Sequence, residues 1–193
     1  MKAPFLRNCT IVLAALLASC STGKDGGGAA RTDGMDVARF HLGEQVARAQ
    51  IAIEPFDRAD SNSPDFPLYQ AAVERELTRL GWTVVKTVGQ SEQVALIDVT
   101  QGSREAIAPL TSARIGRNLA ATTPTGSSAG VVATLLEVGI KRRSDGTLFW
   151  EGRAVGEART GSPLAAPEAA VNRLASALFR DFPGESGRTI RIR

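Results

Sequence analysis

The sequence is short of the residues that most often carry chemistry. It holds one histidine, His41, one tyrosine and two cysteines, Cys9 and Cys20. A Ser-His-Asp or Cys-His mechanism needs an imidazole beside a nucleophile. The RFHLG stretch around His41 offers neither that nor neighbouring ligands, so it reads as a surface or half-buried strand residue. Histidine-rich zinc sites are excluded on the same count. Both cysteines lie within the first 20 residues, which leaves the body of the chain without a disulfide framework. The fold must stand on its apolar core. The apolar run Ile11 to Ala18 is far short of the roughly 20 residues a membrane-crossing helix requires.

Charge of one sign is also lacking. The chain carries 23 Lys+Arg against 20 Asp+Glu, and without Lys2 and Arg7 the balance is 21 against 20. No clustered basic footprint for nucleic acid emerges. Lys2 and Arg7 do have a place, as the positive n-region of an export signal whose apolar h-region is Ile11 to Ala18. The residues that follow, Leu17-Ala18-Ser19-Cys20, resemble the bacterial lipobox. That resemblance implies cleavage before Cys20 and acyl chains, palmitate among them, on its amino-terminal residue. Each buried methylene adds about 0.8 kcal/mol, and two or more chains anchor stably. Ser21 in place of Asp resembles the pattern sent on to the outer membrane.

The expected organisation is therefore a signal peptide over 1–19, a lipidated Cys20 with a flexible tether to residue 36, and one domain over 37–193. Gly, Ser, Thr and Asp dominate the tether, a composition that forms no core. Within the domain, residues 37–56 read as two short strands. A helix over 66–80 follows, with Asp65 as its N-cap, Val73 and Leu77 on its apolar stripe, and Gly81 as its terminator. TVVKTV and VALIDVTQ read as an antiparallel hairpin. The stretch 130–143 alternates as a long strand, and Ser144-Asp145-Gly146 is a tight turn into a second strand. Along that strand Trp150, Gly152, Ala154, Gly156 and Ala158 share a nearly flat face that a helix could approach closely. The helix expected there spans 166–183, with Val171, Leu174, Leu178 and Phe182 in one stripe. RTIRIR closes the chain as a charged edge strand. The order β-β-α-β-β-β-β-α-β gives an α+β fold, a two-layer sandwich of a mostly antiparallel sheet with two helices on one face. A long loop at 102–129 interrupts it, with a short helix expected within 106–119. A loop of that length is either functional or disordered.

Three segments, FPLYQAAVERELTRLGWTVV, LEVGIKRRSDGTLFWEGRA and ALFRDFPGESGRT, resemble the bacterial lipoproteins carrying domain of unknown function 4136. The first strands differ, with RFHLGEQVARAQIAIEP where an aromatic-rich segment is usual. The resemblance implies an envelope lipoprotein and brings no catalytic residue with it.

Candidate chemistry is sparse. Glu54, Asp57, Asp60 and Asp65 crowd one turn-rich loop, but their spacing lacks an ordered calcium-ligand pattern. Glu151 is expected to face solvent. Arg142, Arg143, Arg153, Arg191 and Arg193 fall on the C-terminal strands and their turns, with Arg159 and Arg188 nearby. They read either as a solvated face or as a patch for an anionic partner, a lipid headgroup or an acidic protein surface. The expectation is thus a non-enzymatic, lipid-anchored domain facing the periplasm, with no metal, cofactor or nucleic acid. It binds the membrane through Cys20 and scaffolds or binds an envelope partner. The alternative is a module for a small ligand or glycan.

Overall fold

The computed structural model describes residues 34–43, 46–87, 89–110 and 129–193. The signal peptide, Cys20, most of the tether and positions 111–128 of the long loop lie outside the described residues. The elements are β1 (Met35–His41), β2 (Gln50–Pro55), α1 (Phe66–Arg79), β3 (Thr83–Val85), β4 (Gln93–Gly102), α2 (Arg104–Ile107), β5 (Val131–Arg142), β6 (Leu148–Arg159), α3 (Pro167–Leu178) and β7 (Thr189–Ile192), with short 3-10 turns at Arg58–Asn62 and Pro163–Ala165. The fold is α+β, and its seven-stranded sheet runs β3-β2-β4-β5-β6-β1-β7.

The sheet is mixed. β1 pairs antiparallel with β6 and β7, and β5 with β4 and β6, whereas β2 is parallel to both of its neighbours, β3 and β4. This corrects the expected hairpin. β3 and β4 do not pair with each other, because β2 lies between them. β3 is only three residues long, about 10 Å, so a short connection suffices to carry the chain back to the start of β4. Domain and tether also meet earlier than expected. Met35 is buried in the core, and Asp36 accepts a hydrogen bond from Arg191, so β1 begins two residues inside the expected tether.

Helix α1 forms as its apolar spacing predicts. Its Val73 and Leu77 are fully buried. Asp65 holds the N-cap position, but its side chain makes no capping bond, and its carbonyl accepts from Leu68 and Tyr69 instead. At the other end Gly81 has φ +98°, Trp82 N–H donates to Leu77 and Gly81 N–H to Thr78. This is a Schellman ending, which favours glycine at the left-handed position.

Helices α1 and α3 contribute to one large core with β1, β2, β4, β5 and β6. Its tightest seam is α3 against β6. A methyl group at Gly152 would lie 2.4 Å from Trp150 and 2.8 Å from Leu178, and one at Gly156 would lie 3.1 Å from Leu174. The flat stripe read from the sequence thus receives the leucines of the helix. Around it Trp150 stacks on Phe179 at 5.3 Å, while Phe182 lies 5.1 Å from Trp150 and 5.3 Å from Trp82.

Helix α3 stops at Leu178, short of the expected end at Pro183. The reason is Arg39, a β1 residue only 3% exposed. Its Nε donates to the Leu178 carbonyl at 2.7 Å, and its Nη2 to Ala177 at 2.9 Å and Arg180 at 3.0 Å. A buried cation meets the negative end of the helix dipole and satisfies carbonyls that the helix itself leaves open. The chain then turns at Asp181, φ 54°, and Phe182 reaches the core from outside the helix. The short helix expected within 106–119 lies mostly outside the described residues; before it comes α2, where Ser103 accepts from Ala106 N–H and caps the helix at residue 104. Ile107 packs with Ala133 and Leu135, β5 side chains that alternate with the core residues Leu136 and Val138. α2 therefore covers part of the opposite sheet face. Among the described residues, no helix is long and apolar enough to cross a membrane.

Two substitutions test this packing. Gly152→Ala should lower unfolding free energy by about 2 kcal/mol through overpacking. Arg39→Met keeps much of the bulk but strands three carbonyls, and should cost on the order of 3 kcal/mol. Urea unfolding with unchanged slope is the measurement for both.

Candidate functional site

The face of the sheet away from α1 and α3 carries charge where the strands would be expected to be apolar. Strand alternation sets it up. Ala95, Ile97 and Val99 enter the main core from β4, so Leu96 and Asp98 point the other way. The pairing register then aligns two rows across four strands. One is Asp98, Glu137, Arg153 and Ala38, and the other is Leu96, Gly139, Glu151 and Phe40.

The centre of this face is buried. Glu137, Arg153 and Glu151 are 6%, 5% and 9% exposed, which corrects the expectation that Glu151 faces solvent. Arg153 Nε lies 3.8 Å from Glu137 Oε1, an ion pair too long for a hydrogen bond, and Arg153 Nε and Nη2 find no hydrogen-bond acceptor among the described residues. Burial pulls the Arg153 guanidinium below its ordinary pKa, opposed by Glu137 and then Glu151. Burial pushes the Glu151 carboxyl above the usual range, and Arg153 only partly offsets it. Both shifts have the same origin, since low-dielectric surroundings disfavour the charged form.

Beside these groups lies a pocket of about 60 Å³. Phe56, Leu96 and Leu148 form its apolar walls, Gly139 contributes to its floor, and Asp98, Glu137 and Glu151 bring carboxylates to it. Phe56 reaches this place because its N–H donates to the Ile97 carbonyl just past β2. Four large apolar side chains, Phe40, Leu42, Phe56 and Leu148, are 41–60% exposed at this end of the face.

The structure does not bring the five arginines of the expected anionic-partner patch together. Arg153 is the buried mid-sheet residue. Arg142 pairs with Asp145 in the β5–β6 turn, and Arg143 donates to Glu54 and to the Ser91 carbonyl. Arg191 pairs with Asp36, and Arg193 is exposed past β7. The register carries Arg191 through Asp36 and Val155 to Leu135, seven residues and roughly 23 Å along β5 from Arg142. Asp145 is held down to about 2 by the Thr147 backbone and Arg142, which ties that arginine to its own turn.

The acidic quartet is likewise dispersed. Glu54 accepts from Arg143, Asp57 caps the 3-10 turn through Ala59 N–H, and among the described residues no three His, Cys, Asp or Glu side chains are grouped to hold a metal. His41 is half-buried. Its Nε2 bonds the Gly184 carbonyl at 3.1 Å and its Nδ1 accepts from Gly43 N–H at 3.2 Å. Sequence reading passed over Asp98, Glu137 and Arg39. A usable signal existed for the first two, because each carboxylate interrupts a strand whose neighbours are apolar on both sides.

No family model matches the chain. An uncharacterized protein of Zymomonas mobilis is 25% identical, over 84% of this chain and 81% of that protein. Among solved structures, a PelC dodecamer subunit from Paraburkholderia phytofirmans is 12% identical with a TM-score of 0.44, covering 74% of this chain and 95% of that one. A PDZ domain protein from Parabacteroides distasonis is also 12% identical, with a TM-score of 0.49, covering 83% of this chain and 39% of that one.

The buried Glu151 carboxyl makes a pH-dependent prediction. A raised folded-state pKa means the native state holds its proton longer than the unfolded chain, so stability falls as pH rises through that folded value. Glu151→Gln should therefore be more stable than the parent at neutral pH. The gap should close as pH drops below the ordinary carboxyl value of about 4.3. Urea midpoints across a pH series measure it.

Proposed function

We propose that this chain is a lipid-anchored envelope protein, acylated at Cys20 and held at the outer membrane facing the periplasm, whose domain binds a partner without catalysing a reaction. In this reading the domain is a two-layer sandwich of the kind in the lipoproteins with domain of unknown function 4136, with α1 and α3 on one sheet face and a partner engaging the exposed apolar end of the other. One observation carries the binding role. Phe40, Leu42, Phe56 and Leu148 leave apolar surface exposed at the same end of that face. Of these, Phe56 and Leu148 line one pocket, and large exposed apolar patches mark interaction sites more often than single exposed residues do.

The anchoring half of the proposal rests on Leu17-Ala18-Ser19-Cys20 and the glycine-rich segment after it. Fifteen positions separate Cys20 from Met35, and a flexible linker of that length has a typical span of about 21 Å. The domain would stay close to the bilayer and still turn freely. A second reading, a module for a small ligand or glycan, is favoured by the pocket between Phe56 and Leu148.

Mass spectrometry of the chain from its native membrane tests the anchor. The expected mature protein begins at Cys20 and carries fatty acyl mass on that residue, and Cys20→Ser moves it out of the membrane fraction. A bare Cys20 thiol, or an intact Met1, would overturn the assignment.

A further inference from the structure

The single histidine joins two parts of the chain that differ in how firmly they are held. His41 ends β1 half-buried, on the same side of the sheet as Arg39 and the core residues Met35 and Val37. Toward the α3–β7 connection its Nε2 meets the Gly184 carbonyl at 3.1 Å, and toward the chain that follows β1 its Nδ1 meets Gly43 N–H at 3.2 Å. A carbonyl only accepts and an amide N–H only donates. That pair of partners fits one form of the ring, neutral, with its proton on Nε2 and a lone pair on Nδ1.

The two contacts are unequal. Gly184 is wedged in place: a Cβ there would lie 2.5 Å from Arg39 Cδ. Pro183 before it accepts from Trp150 Nε1 at 3.0 Å, and Ser186 beyond it accepts from His41 N–H at 3.1 Å. Gly43 is open, with φ +80°, and a Cβ there would meet nothing within 4 Å among the described residues. Besides the histidine, its turn is tied by Leu42 N–H to the Phe149 carbonyl at 3.4 Å, long for such a bond. A second proton on the ring has only Nδ1 to occupy, facing Gly43 N–H. Two donors then oppose each other, and the loosely held side yields. The charged groups around the ring are Arg39 on β1, engaged by α3 carbonyls with Arg180 and Asp181 beside it, and Glu185 and Arg188 in the connection, paired at 2.8 Å. From β6, uncharged Trp150 registers opposite His41, while Glu151 falls on the other side of the sheet. Glu44, next after Gly43, lies outside the described residues.

We propose that His41 is a proton-operated catch on the turn at Gly43. Neutral, it ties the turn to the end of β1. Protonated from solvent at Nδ1, it keeps the Gly184 carbonyl, lets Gly43 go and frees Leu42. Leu42 is 52% exposed at the apolar end of the other sheet face, so the shape of that surface changes within the range where imidazoles titrate, about pH 5 to 8. The catch rests on the hydrogen-bond geometry alone. Its consequence for a partner rests on the binding role proposed above, so the catch stands even where that role fails.

The test is NMR of the full chain in detergent, from about pH 8 to about pH 5. Nitrogen–proton correlation spectra of the imidazole should show the Nε2–H form at the alkaline end. As the ring titrates, the Gly43 amide shift should follow it with the same midpoint. Amide order parameters at Leu42 and Gly43 should fall from about 0.85 to below about 0.6. The Gly187 amide, which donates to the Arg39 carbonyl, should stay rigid. His41→Asn, whose side-chain oxygen takes the place of Nδ1, should hold the turn at every pH. His41→Gln, whose amide nitrogen takes the place of Nε2, should leave it loose at every pH. Glu44→Gln should keep the coupled response of the ring and Gly43. A neutral ring protonated on Nδ1, or one that never gains its second proton, would overturn the catch. So would a ring that titrates while Leu42 and Gly43 stay rigid, loosening that persists in His41→Asn, or a response lost in Glu44→Gln.

Discussion

The seating of α3 on β6 is the constraint from which most of the architecture follows. Gly152 and Gly156 leave no room for a side chain beneath Leu178 and Leu174, so the helix settles at a distance that only small residues permit. That closeness stacks Phe179 on Trp150 and delivers the end of the helix to Arg39. The guanidinium answers the last carbonyls, the chain turns at Asp181, and β7 returns alongside β1. One strand residue thereby decides where a helix stops and where the final strand begins. Interiors packed this densely transmit small changes rather than absorbing them.

The two faces of the sheet follow different physics. Toward α1 and α3 the strands bury apolar side chains and aromatic rings, the ordinary source of stability. On the other side, the middle of β5 and β6 buries Glu137, Glu151 and Arg153, and Arg153 Nε and Nη2 find no hydrogen-bond acceptor among the described residues. Groups in that condition disfavour folding, and a fold can carry them only because its other face is well packed. Phe40, Leu42, Phe56 and Leu148 stay exposed at one end of that charged face. A lipid anchor on a short tether would set that surface at a membrane while leaving its orientation free.

Much of the fold was legible because local periodicity and packing agreed. The α1 stripe, the Gly81 ending, the long β5 alternation and the flat face of β6 all reflect one element meeting one neighbour. The β3–β4 hairpin was misread because a short apolar run followed by a turn and another run looks the same whether the two strands pair or flank a third. Which strand intervenes is settled by β2, some 30 residues upstream. The end of α3 was misread for a related reason, since its cap comes from residue 39. Glu151 was misassigned because alternation gives only the side of the sheet on which a residue falls and leaves open whether that side is covered.

By itself, then, the sequence determined which stretches become helix or strand, which side of each strand is apolar, and that the last helix could lie flat on Gly152 and Gly156. It also supplied the Leu-Ala-Ser-Cys element on which the envelope proposal stands. Only the tertiary structure decided the strand order, the burial of Glu137 and Arg153, the scattering of the arginines and the cap that Arg39 provides. The physical reason is range. Periodicity and turn chemistry act over a few residues, whereas charge burial and strand pairing are set by partners tens to more than a hundred positions away.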